Sequence, residues 1–144
     1  MTYKARIPYV TDMRVLFVCS GNAFRSPLAE ALLKKLRSNV EVDSAGIHPV
    51  ISIAESARKY LARIGAERHL KADSESLATK NLASYDLIVA MEDLHKHAVL
   101  SICPDCTEKV VVWNIEDPYF MPAGSAENIF NQIRQKVEEL AGSL

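Results

Sequence analysis

The sequence predicts an α/β fold, a small four-stranded parallel sheet with helices on both faces. Three observations predict it. Short apolar runs alternate with helical periodicity along the chain, which is the pattern of right-handed β-α-β crossovers. The first and last of those runs are almost continuously apolar, as strands buried on both faces must be. At 144 residues the chain is the size of one domain with a substantial core.

The four strand-like runs are residues 14–19 (RVLFVC), 40–45 (VEVDSA), 86–91 (DLIVAM) and 109–113 (KVVVW). Between and after them lie helical patterns at 27–36, 54–64, 92–102 and 126–141, with a weaker one at 75–82. The last carries Ile129, Phe130, Ile133, Val137 and Leu140 three or four residues apart, one apolar face. Gly and Pro fall between these segments as punctuation, and no repeat or Gly/Ser linker divides the chain. The strand pattern begins only at Arg14. Residues 1–12 are therefore expected to be an appendage of unknown role and 13–144 the domain.

Composition limits the function classes. Apolar residues are 49% of the chain, and 17 Lys+Arg stand against 18 Asp+Glu for a net charge of −1. That argues against disorder and against a nucleic-acid binder working through an overall positive field. No continuous apolar run is longer than Val15 to Cys19, so no membrane span is expected, and the N-terminus lacks the pattern of a signal peptide. A cytoplasmic location follows as the expectation, with the three cysteines as free thiols in a reducing compartment.

Chemistry concentrates after the first strand, where the chain reads Cys19-Ser20-Gly21-Asn22-Ala23-Phe24-Arg25-Ser26-Pro27. Ser26 suits an N-cap and Pro27 a first helical residue, so the expected order is strand, loop, helix N-terminus. Unpaired N–H groups and the positive end of the helix dipole would converge there as an anion pocket. Ligands of open α/β sheets bind on that side, at the carboxyl ends of the strands. A cysteine on the pocket floor would be favoured as thiolate and so be nucleophilic, and the planar fork of Arg25 could grip two oxygens of a tetrahedral oxyanion. Gly21 would permit close backbone approach, and Asn22 would tolerate a left-handed turn. Ser20, Ala23 and Phe24 complete the substrate-binding loop.

Such a nucleophile needs an acid for the leaving oxygen, later a base for water. Asn114-Ile115-Glu116-Asp117-Pro118-Tyr119-Phe120 follows the fourth strand on the same side of the sheet. Asp117 is the choice over Glu116, because Pro118 restricts its backbone. Tyr119 and Phe120 would form an apolar wall for an aromatic leaving group.

These motifs resemble the low-molecular-weight protein tyrosine phosphatase family, through VLFVCSGNAFRSPLAE, DSAG at 43–46, YDLIVAMED and EDPYF. The resemblance spans residue 13 to the C-terminus and implies a flavodoxin-like fold of the phosphotyrosine phosphatase I type. It implies Cys19 as the nucleophile that forms a phosphocysteine, Arg25 as the transition-state clamp and Asp117 as acid then base. Ser26 would donate to the thiolate, and Asn22 with Ser44 would brace the loop. No cofactor or metal is implied. The implied partner is a phosphotyrosine protein or small aryl phosphate, inorganic phosphate is the product, and a monomer is expected.

The chain also departs from the family pattern. Phe24 stands where many members carry a second cysteine, Ala23 where isoleucine or, in the phosphoarginine branch, threonine is usual, and Ile47-His48-Pro49 where an aromatic often sandwiches the substrate ring. Weaker phosphotyrosine selectivity is the expectation. No histidine sits at the family's loop-supporting position, which is Leu70, beside His69. Phosphoarginine hydrolysis, arsenate reduction and a non-catalytic phospho-ligand module are the alternatives. Cys103-Pro-Asp-Cys106 suggests zinc or redox chemistry, but His95 and His97 upstream would point to different helix faces. Free thiols in a turn are the expectation, with a reversible disulfide as the alternative.

Overall fold

The computed structural model describes residues 13–50, 52–122 and 124–144, excluding the side chain of Phe120, so the expected appendage 1–12 lies outside the described residues. Four parallel strands are present: β1 (Arg14–Cys19), β2 (Glu41–Gly46), β3 (Leu87–Ala90) and β4 (Val110–Val112), in the order β2-β1-β3-β4. The helices are α1 (Arg25–Leu36), α2 (Glu55–Arg63), α3 (Asp93–Ile102) and α4 (Ala126–Ser143).

The alternation of side chains along β1 explains the two layers. Val15, Phe17 and Cys19 face a core built by Leu28 and Leu33 of α1, Tyr60 and Leu61 of α2, and Ile129, Phe130, Ile133 and Val137 of α4. Leu16 and Val18 face the opposite core, with Ile88, Ala90, Val99 of α3 and Cys106. Each large aliphatic or aromatic side chain so buried contributes about 1.5–3 kcal/mol, so both faces hold the central strand. The chain passes from β1 to β2 on one side and then to β3 on the other, so the order reverses at the carboxyl end of β1. That end is where an open α/β sheet presents a crevice.

Three local expectations are corrected. The weak pattern at 75–82 is not an α-helix but two 3-10 turns, Leu77–Thr79 and Leu82–Ser84, separated by Lys80-Asn81. Its short run carries Ser, Thr and Asn, which favour turns over helix interiors. The helix after β1 starts at Arg25 with Phe24 as its cap residue, so Ser26 is not the N-cap and Pro27 is the third helical residue. Pro27 remains in the first turn, where a missing N–H costs nothing, and the Ser26 hydroxyl is used elsewhere. Cys103 and Cys106 are joined in a disulfide rather than present as free thiols, across the turn that follows α3. Among the described residues no helix is long and apolar enough to cross a membrane.

Candidate active site

β1 ends at Cys19, whose side chain is 2% exposed. Beyond it the carbonyls of Cys19, Ser20, Gly21 and Ala23 accept hydrogen bonds from the N–H groups of Ile47, His48, Val50 and Ala54, at 2.8–3.1 Å. The Asn22 carbonyl accepts from Ser74 Oγ at 2.9 Å. Successive carbonyls thus turn outward, and the amide groups of the loop line its concave side. Such a nest at a helix N-terminus attracts anions. The curl requires Asn22 in the left-handed region, with φ 54°, as its residue type suggested.

The curl leaves no room for a side chain at Gly46 on the neighbouring strand. A Cβ at Gly46 would stand 2.7 Å from the Ser20 carbonyl oxygen and 2.8 Å from the Asn22 nitrogen. One at Gly21 would first meet Val50 at 3.4 Å, an ordinary contact.

A directed chain of hydrogen bonds reaches the thiol. The Asn22 Oδ1 atom accepts from Lys71 Nζ at 3.0 Å and from the Glu75 N–H at 2.8 Å. Its Nδ2 donates to Ser26 Oγ at 2.8 Å and Ser44 Oγ at 2.9 Å. Ser44 passes its own hydrogen to Glu30 Oε1 at 2.6 Å. Ser26 therefore has its hydrogen free for Cys19 Sγ, 3.0 Å away. The two ends fix the polarity, since an ammonium can only donate and a carboxylate can only accept. Lys71 also donates to the Ser44 carbonyl at 2.8 Å. Asp43, beside this network, is held below the usual carboxylate range: burial pushes it up, but Lys80 and the Ser44 N–H outweigh burial.

Arg25 is 1% exposed. A guanidinium so deeply buried would cost several kcal/mol without partners. Its Nη1 donates to Glu92 Oε1 and to the Ile115 carbonyl, both at 2.6 Å. Its Nη2 lies 3.4 Å from Ser20 Oγ and 3.5 Å from Asp117 Oδ2. Asp117 also starts a 3-10 turn, Pro118–Phe120, with Oδ1 accepting the Tyr119 N–H at 3.0 Å. The turn-forming and site-facing readings of Asp117-Pro118 thus hold together, one carboxylate oxygen serving each.

Cys19, Ser20, Gly21, Ala23, Phe24, Arg25, His48, Val50, Asp117 and Tyr119 line one pocket of about 260 Å³. Asn22, Ser26 and Ser44 stand behind it, fully buried. Sequence reasoning missed Glu30, Lys71, Glu92 and His95 as supports. Glu92 and His95 carried a readable signal, an acid directly after a strand with a histidine three residues on, in the pattern of a capping box. Lys71 carried none, because it lies in an aperiodic stretch. His95 is buried and His97 exposed, and no group of three or more metal-ligating side chains occurs among the described residues.

Residues 14–144 match the family described as low molecular weight phosphotyrosine protein phosphatase. The chain belongs to that family. Its members are cysteine-dependent, metal-independent hydrolases of phosphomonoesters. This phosphatase is 30% identical over 140 residues to the low molecular weight protein-tyrosine-phosphatase Etp of Escherichia coli (strain K12), covering 90% of this chain and 93% of the relative. It is 32% identical over 143 residues to a protein-arginine-phosphatase of Bacillus subtilis (strain 168), covering 92% and 94%. Among solved structures, Vibrio vulnificus Wzb in complex with benzylphosphonate superposes with a TM-score of 0.82 at 28% identity, over 92% of this chain and 99% of that one. The YwlE arginine phosphatase from Geobacillus stearothermophilus gives 0.79 at 27%, over 91% and 92%. Overall likeness therefore does not separate the two substrates.

Proposed function

We propose that this phosphatase hydrolyses phosphotyrosine in proteins, or small aryl phosphates, in two steps through a phosphocysteine. The observation that carries the reading is one pocket holding a cysteine on its floor, a buried arginine on one side and an aspartate at the rim. Cys19 attacks phosphorus while the N–H cradle and Arg25 take the equatorial oxygens, where charge is spread in the transition state. Asp117 gives its proton to the leaving phenol oxygen. As a carboxylate it then takes a proton from the water that attacks phosphorus and releases Cys19 and inorganic phosphate.

The lining supports an aryl leaving group. Phe24, Val50 and Tyr119 of the lining supply apolar surface against which a ring can lie. Asp117 is the single acid among the described lining residues, and it already faces Arg25, so none of the described lining residues is left to pair with a substrate guanidinium. Ala23 likewise presents no hydroxyl where the phosphoarginine branch has threonine. Arsenate reduction needs a thiol relay to Cys19. Cys103 and Cys106 are bonded to each other at the far end of α3, a ten-residue helix about 15 Å long. A cytoplasmic phosphotyrosine protein is the partner this reading implies.

The test is turnover of phosphotyrosine and phosphoarginine peptides of one sequence, with a chelator present. The expected result is phosphotyrosine preferred by at least about tenfold in kcat/KM, the order of discrimination that one apolar wall supplies. Preference for phosphoarginine would overturn the substrate assignment.

A further inference from the structure

Beside the phosphate loop a fully buried histidine has both ring nitrogens engaged. Glu92, the cap residue of α3, accepts the His95 backbone N–H on its side chain and donates its own backbone N–H to His95 Nδ1 at 2.9 Å. An amide N–H can only donate, so Nδ1 is the unprotonated nitrogen and the ring hydrogen sits on Nε2. Nε2 lies 2.9 Å from Ser20 Oγ, so the histidine donates to the serine. Burial pushes His95 down to about 4, and Arg25 acts in the same direction against Glu92 and Asp117. The ring is thus neutral at neutral pH, with the single hydrogen that this geometry uses.

A serine and histidine of this polarity do not form a nucleophilic pair, because the ring has no lone pair left to take the hydroxyl proton. They do something else. Ser20 Oγ is offered hydrogens by His95 Nε2 and, more distantly, by Arg25 Nη2 at 3.4 Å. Both neighbours are donors, which leaves the hydroxyl's own hydrogen for a third partner. Ser20 lines the pocket over Cys19, where the partner that arrives is an oxyanion.

We propose that Ser20 donates its hydroxyl hydrogen to an oxygen of the phosphoryl group held over Cys19, and that His95 is the positioning residue that fixes it in that role. The proposal rests on the phosphocysteine reading above. It adds a side-chain donor to the backbone cradle and to Arg25, on the flank of the pocket shared with Asp117.

The two ring nitrogens can be separated by substitution. In His95→Asn the Oδ1 atom stands near the place of Nδ1 and keeps the bond to the Glu92 N–H, but the side chain no longer reaches Ser20. In His95→Gln the amide reaches toward the place of Nε2 and can donate to Ser20, at the expense of the α3 cap. The readouts are kcat/KM for an aryl phosphate, inhibition by inorganic phosphate, and thermal unfolding. Ser20→Ala and His95→Asn are each expected to lose about tenfold in kcat/KM and to weaken inhibition by phosphate similarly, less than a sole oxyanion donor would cost because the cradle and Arg25 remain. The double variant is expected to lose no more than Ser20→Ala, and His95→Gln to stay within about threefold of the unsubstituted protein while melting lower. Losses that multiply in the double variant, or Ser20→Ala at full activity, would overturn the proposal. The Cys19→Ser protein keeps the two readings apart. If it is inactive while Ser20→Ala is unimpaired, this proposal falls alone; if it turns over at the original rate, the phosphocysteine reading falls first.

Discussion

The phosphate loop and the Asp117 segment face each other across one pocket, and they are held in opposite ways. Behind the loop, Asn22, Ser26 and Ser44 are fully buried, and each is hydrogen-bonded to at least two groups. Arg25 is braced independently, by Glu92 and the Ile115 carbonyl. Across the pocket, Asp117 is fixed by the Tyr119 N–H of its own turn and by a 3.5 Å approach to Arg25, and Tyr119 is 71% exposed. The difference teaches that the anion site is built before a substrate arrives, whereas the acid stands on a surface turn. Preorganisation is concentrated where charge develops.

The sharpest way to break this contrast is Asp117→Asn. It should lower kcat by about 10²–10⁴-fold, the usual worth of a general acid, while leaving thermal stability within about 0.5 kcal/mol. A comparable loss of stability would mean that the turn, too, is structural. Lys71→Met is the reverse experiment. It leaves Asn22 Oδ1 and the Ser44 carbonyl each one donor short and removes the cation facing Glu30, so unfolding should show a loss of about 1–3 kcal/mol. Its activity should fall as well, by a smaller factor than in Asp117→Asn, because the polarity of the Asn22–Ser26 chain is no longer imposed.

A third and smaller effect belongs to pH. His95 binds its second proton at about 4 when folded against 6.5 in the reference state, so between those values the unfolded chain holds more protons. Stability from this group is complete above about 6.5 and is lost as pH falls toward 4, by at most about 3 kcal/mol. Urea unfolding from pH 7 to 4 should show that acid slope, and His95→Gln should flatten it. An equal slope in the variant would assign it to the carboxylates instead.

Much of this contrast was legible in the sequence, for reasons that differ by region. The fold class followed from two nearly continuous apolar strands and a regular alternation, and the cradle followed from a strand, a loop and a helix start around Cys19 and Arg25. Local chemistry misled where tertiary bonding outbid it. Ser26 reads as an N-cap, but its hydroxyl serves Asn22 and Cys19, and the helix begins two residues earlier than that reading places it. Gly46 carries no local signal for its role, because the backbone that a side chain there would strike belongs to the loop after the neighbouring strand. Lys71 was invisible because its role depends on a contact with Asn22 across 49 positions, and no periodicity marks it. Cys103 and Cys106 were read from an expected compartment, where three-residue spacing across a turn brings their Cα atoms within 5.4 Å.

The central claim, that Cys19 carries the phosphoryl group between two chemical steps, is tested most directly by trapping. Asp117→Asn protein mixed with an aryl phosphate and quenched in acid should yield one phosphorylated peptide, with the phosphate on Cys19 by mass spectrometry and a phosphorus resonance of a thiophosphate ester. The doubly substituted Cys19→Ser, Asp117→Asn protein should yield no phosphorylated cysteine and no burst of phenol. A burst of unchanged size in that protein, or a phosphate found in the Asp117→Asn protein on a side chain other than Cys19, would contradict the account.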